Sequence, residues 1–267
     1  MSSIKMLGTG HGFVFDIYNT CFLLKNNNEF LLVDTGGSAE IVRRLKLSNI
    51  ELKDIHQIFI SHCHTDHILG LMWMLKRMSK LFLNGSYEGE LDIFCNEEVA
   101  KAIPGIYLNL FPSKRVDALN EYINFNVLKD GDEFNTIGLK FTAIDMNAKK
   151  NSLLGFAVML DNNKRLCFLG DEECDVKVYD RIRNADYVMH EAFCLDSEED
   201  IFKPYEKHHS TVKSVCTKLN KLDIKNLILY HTEETHIVNR KELYTDEGKK
   251  YFDNNILVPD EMEEIIL

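Results

Sequence analysis

Four side chains with metal-ligand chemistry, His62, His64, Asp66 and His67, fall within six residues directly after the apolar run Ile58-Phe59-Ile60. The run reads as a buried strand, so its end delivers three imidazoles and a carboxylate to one place. Burying such a set is costly unless a cation holds it together. A solvated histidine-rich loop is the bland alternative; a metal site is the working expectation, and the rest of the fold has to supply further ligands at this strand end.

The chain has 267 residues and shows no internal repeat, low-complexity segment or linker, so one domain over 1–267 is expected. With 31 basic and 42 acidic residues the formal charge is -11, which disfavours general nucleic-acid binding because that affinity comes from cations neutralising phosphates. The seven cysteines are scattered, with no Cys-x-x-Cys pair, and several sit in apolar runs as free thiols do. Neither a signal peptide nor a membrane span is expected, and a reducing cytoplasm is the expected compartment.

Along the chain, Ile4 to Leu7 reads as a strand ending in the glycine-rich turn Gly8-Thr9-Gly10-His11-Gly12. Strands over Cys21 to Leu24 and Phe30 to Val33 follow, the second ending in Asp34-Thr35-Gly36-Gly37, with Ser38 placed to cap a helix to Leu47. Asp34 suits either support of metal ligands or stabilisation of its own turn. The apolar helix after His67 carries several methionines and the only tryptophan, Trp73; core packing, a dimer face or a pocket lining would each use it. Leu91 to Cys95 reads as a strand, and Glu97 to Ile103 as a helix stopped by Pro104-Gly105, with an irregular covering loop through Pro112 and Arg115. Strands are expected over Tyr122 to Leu128, Leu139 to Ile144, Gly155 to Leu160, Arg165 to Leu169, Tyr187 to Glu191 and Leu227 to Tyr230. Helices are expected near Val176 to Arg183 and over Ser210 to Leu219.

His62, His64, Asp66, His67, Asp171, Glu191 and His231 all lie at or just beyond strand ends, and His209 at a helix start. Sheets gather such ends along one edge, where ligands bind, so the set points to one pocket. In order, the glycine-rich first turn, Val33-Asp34-Thr35-Gly36, His62-x-His64-x-Asp66-His67, Gly170-Asp171 and His231 resemble the metallo-β-lactamase fold superfamily. His190-Glu191-Ala192 and His209-Ser210-Thr211 are further similar to elements of its ribonuclease Z-like phosphodiesterase branch. The resemblance implies a four-layer αββα sandwich carrying two divalent metals, zinc foremost, with manganese or iron as alternatives. It implies that His62 and His64 hold the first, that Asp66, His67 and His231 hold the second, and that Asp171 bridges them. It also implies that His209 contacts the scissile phosphate, with Glu191 helping to orient it.

Two departures qualify the resemblance. The branch has another first-metal histidine after the strand Leu139 to Ile144, where this chain has Asp145-Met146-Asn147-Ala148-Lys149-Lys150. Asn147 is the positional match, with Asp145 as a nearby oxygen ligand; an amide oxygen binds zinc more weakly than imidazole, so a weakened or partly occupied first site is expected. Ribonuclease Z proteins that mature transfer RNA also have a long arm before the Gly-Asp element, whereas about a dozen residues separate Phe156 from Gly170 here, enough for a hairpin.

The function expected is a metal-dependent hydrolase of a phosphodiester or related small ester, acting through metal-activated water, with transfer RNA disfavoured as substrate. Asp66 would orient the nucleophile and His209, favoured over His208, would serve the leaving oxygen. Thioester, lactone or sulfate-ester hydrolysis on the same site, or a non-catalytic metal- or ligand-binding regulator, are the alternatives. A small-molecule substrate, no membrane and a possible homodimer complete the expectations.

Overall fold

The structure, a computed structural model, describes residues 2–149 and 152–267. Among the described residues, fourteen strands run in chain order as β1 (Ser2–Gly8), β2 (Cys21–Asn26), β3 (Glu29–Val33), β4 (Gln57–Ile60), β5 (Leu91–Cys95), β6 (Ile123–Val127), β7 (Glu133–Thr136), β8 (Leu139–Asp145), β9 (Leu154–Met159), β10 (Arg165–Phe168), β11 (Tyr187–Glu191), β12 (Asn226–Tyr230), β13 (Asn255–Leu257) and β14 (Glu264–Ile266). They form two seven-stranded sheets, ordered β14-β1-β2-β3-β4-β5-β6 and β13-β12-β11-β10-β9-β8-β7. The helices that matter below are α1 (Glu40–Leu47), α2 (Thr65–Leu83), α3 (Glu97–Leu110), α4 (Ser113–Tyr122), α5 (Tyr179–Ile182), α6 (Glu199–Phe202), α7 (Val212–Leu219) and α8 (Arg240–Gly248).

Three apolar layers follow from the period of two in the strands. In β4, Ile58 and Ile60 face α1 to α4, while Phe59 between them faces the other sheet. In β12, Ile228 and Tyr230 join that inter-sheet core, and Leu227 and Leu229 face α7 and α8. Phe22, Phe59, Phe141, Phe156 and Phe168 fill the space between the sheets, each at most 1% exposed. The result is the αββα sandwich: helices, sheet, sheet, helices.

Parallel pairing sets the edge on which the chemistry sits. Strands β3 to β6 are parallel in one sheet and β10 to β13 in the other. Their carboxyl ends deliver Asp34, the segment from Ser61 to His67, Asp171, Glu191 and His231. Leu154 N–H donates to Ser61 C=O (3.0 Å), stitching the two sheets together beside the histidine segment.

Helix α2 lies hard against the turn after β3. Gly70 N–H donates to Gly36 C=O (2.8 Å), and Thr35 Oγ1 donates to His67 C=O (2.7 Å). A Cβ on Gly70 would stand 1.9 Å from Thr35 O, so only glycine lets the helix come this close and hold its first turn in place.

The sequence expectations differ from the structure in four places. Helix α3 does not stop at Pro104 but continues to Leu110. Val99, Ile103 and Tyr107 are buried on one side of it, and their packing outweighs the hydrogen bond the proline cannot donate. The expected loop through Arg115 is instead α4, in which Val116 and Leu119 are buried and Tyr107 Oη donates to Asn120 Oδ1 (2.7 Å). The helix expected over Val176 to Arg183 is a 3-10 turn, Val176–Val178, followed by the short α5. Strands β7, β13 and β14 and helix α8 were not expected; the three strands have only three or four residues each, too few to show a period.

Candidate metal centre

His62, His64 and Asp171 offer ligand atoms that lie within 4.8 Å of one another, and so do Asp66, His67, Asp171 and His231. Asp171 belongs to both groups, and His62, His67, Asp171 and His231 are all buried. The donors come from both sheets: the histidine segment follows β4, Asp171 follows β10 and His231 follows β12. Asp66 and His67 occupy the first turn of α2, where the helix dipole favours the carboxylate.

Neighbouring hydroxyls and carboxylates fix which ring nitrogen each histidine turns to the centre. Asp34 Oδ2 accepts from His67 Nδ1 (2.8 Å) and from Ser61 Oγ (2.8 Å), while Oδ1 accepts from Ser61 N–H (2.8 Å). Because Ser61 Oγ gives its proton to Asp34, it accepts from His62 Nδ1 (3.0 Å). Thr20 Oγ1 likewise donates to Gly10 C=O (3.0 Å) and accepts from His231 Nδ1 (3.0 Å). Each network leaves Nε2 of His62, His67 and His231 facing inward, the arrangement that metal-binding imidazoles need. Asp34 and His231 reach these positions in the left-handed region, with φ of 54° and 59°. Asp and His tolerate that conformation better than branched residues do.

A cation fits these donors. His67 Nε2 stands 3.2 Å from Asp66 Oδ2 and 3.1 Å from Asp171 Oδ2. His67 Nε2 and Asp171 Oδ1 are buried without a well-formed hydrogen bond. Burial pushes the His67 imidazole down, but Asp66, Asp34 and Asp171 outweigh it and hold its pKa well above the ordinary value. Burial raises Asp171, yet His62, His67 and His231 win and hold its carboxyl far below the usual range. Burial also lowers His62 to about 4 and holds His231 well below the usual imidazole range, so both are bare bases at neutral pH. Two carboxylates, Asp66 and Asp171, with the imidazoles of His67, His62 and His231 beside them, form a donor set suited to a divalent cation such as zinc.

The first group is the sparser one. His62 Nε2 and His64 Nδ1 converge to 2.7 Å, with Asp171 Oδ1 3.6 Å from His62 Nε2. Asp145 is not in this group; it is exposed and accepts from Asn147 N–H (2.8 Å). The exposed Asn147 amide is turned to Asp175 Oδ2 (3.1 Å) and Lys177 Nζ (3.3 Å). Among the described residues, no carboxylate or imidazole stands in for the missing histidine, and Lys150 lies outside them.

His209 flanks the centre. Its Nδ1–H donates to the Asp171 main-chain carbonyl (2.7 Å), while the nearest Glu191 oxygen is 3.9 Å away. The carbonyl, not the Glu191 carboxylate, therefore fixes the His209 tautomer. The ring stacks on Phe193 at 4.7 Å and stands 5.1 Å from the His231 ring, centroid to centroid. Burial lowers the His209 pKa and pushes Glu191 well above the carboxylate range. His208 lines a separate cleft of about 180 Å³ with Asn147, Glu172 and Tyr205.

Thr20, Ser61 and His11 carry site geometry that the sequence did not disclose. His11 accepts from Phe13 N–H at Nδ1 (3.2 Å), so its Nε2–H faces Glu233 (3.2 Å) and ties the glycine-rich turn to the segment after His231.

His190, next to Glu191, is structural: Nδ1–H donates to Glu191 C=O (2.6 Å) and Nε2 accepts from Cys174 N–H (3.1 Å). Burial lowers it from 6.5 to about 4. Between these values the unfolded chain takes a proton that the folded chain refuses. Its stabilisation is thus complete above the ordinary value, declines as pH falls through it, and levels off below the folded value, a loss of about 3 kcal/mol. In urea unfolding of metal-stripped protein from pH 7 down to 4.5, His190→Asn is expected to be less stable at pH 7. Its stability should fall with acidification by about one proton less than that of the unsubstituted chain. Parallel pH profiles would refute this.

Fold and donor arrangement together are those of a metallo-β-lactamase-fold protein. Residues 2–248 match the family described as Anti-Pycsar protein Apyc1, and the chain belongs to that family. A ribonuclease Z of Archaeoglobus fulgidus is 25% identical over 283 aligned positions, covering 87% of each chain. Among solved structures, the metallo-β-lactamase fold protein YhfI from Bacillus subtilis superposes with a TM-score of 0.79 at 14% identity, over 99% of this chain and 98% of that one. A diphosphatase from the PhnP family gives 0.74 at 15% identity, over 100% and 98%.

Proposed function

We propose that the chain is a metal-dependent phosphodiesterase for a small phosphodiester, with two divalent cations, zinc foremost, as cofactors. Asp66, His67, Asp171 and His231 would hold one and His62, His64 and Asp171 the other, more weakly. Cations there supply Lewis-acid charge and lower the pKa of water. Asp66 then orients the attacking water, and His209, its Nδ1–H pinned and its Nε2 protonated once the anionic phosphodiester is bound, gives the Nε2 proton to the leaving oxygen and is left as the neutral imidazole. One observation carries the reading: Asp171 offers its carboxylate to both donor groups and its carbonyl to His209. One residue thereby sets the spacing between metal and acid.

The ribonuclease Z and diphosphatase relatives cleave bonds to phosphorus, which supports this choice among ester chemistries. The turn between β9 and β10 supports a small substrate: Leu160 N–H donates to Lys164 C=O (2.9 Å), closing a tight hairpin where a transfer-RNA enzyme has a long arm. No described helix is long and apolar enough to cross a membrane.

The test compares initial rates on bis(p-nitrophenyl) phosphate, p-nitrophenyl sulfate and a lactone, with metal analysis of the same preparation. Phosphodiester turnover that disappears on chelation and returns with zinc, manganese or iron is expected, at well above the rates on the other two. Preference for the sulfate or the lactone would replace the reading. Turnover of none of them by metal-loaded protein would make the chain a binding protein.

A further inference from the structure

A second cavity lies away from the metal centre, between α1, α2 and α4 on the outer helical layer. It has a volume of about 840 Å³, within the size range of small-molecule sites. Its floor is apolar, formed by Val42, Leu45, Ile50, Leu52 and Leu81, with the half-exposed Trp73 along one wall. Lys46, Lys76, Arg77, Lys80 and Arg115 stand around it.

On a chain of charge -11, five cations around one groove need a reason. On the same helical layer, Arg43 pairs with Glu40 and Lys101 with Glu97. None of these five is ion-paired with a described carboxylate. Among the described residues, the one carboxylate lining the groove, Glu51, is taken by Lys53 (2.9 Å). Lys76 Nζ instead sits 5.2 Å from the Trp73 ring centroid, a cation held against the apolar wall.

We propose that this groove binds a single-chain anionic amphiphile, a free long-chain fatty-acid anion. Its acyl chain would lie on the apolar floor and its carboxylate would meet the lysines and arginines at the rim. The shape favours one chain over a bilayer surface, because Leu45 and Ile50 are buried and Val42, Leu52 and Leu81 half-buried, while Lys46, Lys76, Arg77 and Lys80 are exposed. Charge disfavours a second copy docked through the same face, since a twofold contact sets one cationic rim against the other. The inference is independent of the hydrolase reading and needs no metal.

Trp73 is the only tryptophan in the chain, so its emission reports on the groove directly. The protein is titrated with dodecanoate below its micelle concentration, with dodecyltrimethylammonium, and with phosphatidylglycerol vesicles. A saturable, one-to-one blue shift with dodecanoate alone is expected, weakened about tenfold or more in Lys76→Glu/Lys80→Glu, whose fold circular dichroism would verify. Equal response to both head groups, or an unchanged affinity in the double variant, overturns the proposal. Vesicle binding without saturable binding of dodecanoate assigns the face to a membrane and also overturns it. So does a ligand-free blue shift that tracks protein concentration with a doubled mass in sedimentation, which assigns the face to a second copy.

Discussion

Asp171→Ala lowers phosphodiester hydrolysis by about a thousandfold or more and strips metal from both positions. The residue is 4% exposed, and its carboxylate lies 3.1 Å from His67 Nε2 and 3.6 Å from both His62 Nε2 and His231 Nε2. Among the described residues, no other side chain is shared by the two donor groups. Metal analysis and kinetics on one preparation, with circular dichroism to show that it folds, make the comparison. Asp66→Ala is the control, because Asp66 belongs to one group only; it should lose activity while keeping metal at His62 and His64. Asp171→Ala protein that retains two metals would refute the shared-ligand geometry.

His209→Ala has the second largest effect and a different signature. Metal content stays at the level of the unsubstituted chain, and kcat falls about a hundredfold or more for esters whose leaving alcohol must be protonated. The loss is much smaller for bis(p-nitrophenyl) phosphate, because p-nitrophenolate departs without a proton. Glu191→Gln should cost less than His209→Ala, since the Asp171 carbonyl and not Glu191 holds the His209 ring. Equal losses on both kinds of leaving group would remove His209 from the proton-donor role.

The metal centre could be read from sequence as far as strand ends could be. An apolar triplet followed by His62 needs only local pattern, and parallel β3 to β6 and β10 to β13 then bring the remaining donors to the same edge. What fixes the imidazoles could not be read. Thr20 and His231 are 211 residues apart and meet at 3.0 Å, and a threonine before a strand carries no mark of that contact. Asn147 shows the limit of alignment by position: its place in the order suggests a ligand, but Asp175 and Lys177, distant in sequence, take its amide. Helix α4 was hidden because Pro112 and Phe111 look irregular, although a proline in extended conformation just before a helix is a favourable start.

The donors are divided between two sheets that otherwise meet through a layer of phenylalanine and aliphatic side chains and a few hydrogen bonds such as Leu154 N–H to Ser61 C=O. His62, His64, Asp66 and His67 belong to one half of the molecule, and Asp171 and His231 to the other. A cation at Asp171 is therefore a rivet through the seam. The halves cannot slide or part without releasing it, and it cannot leave without loosening them. How long the ion stays and how firmly the two halves hold together become one property of the protein.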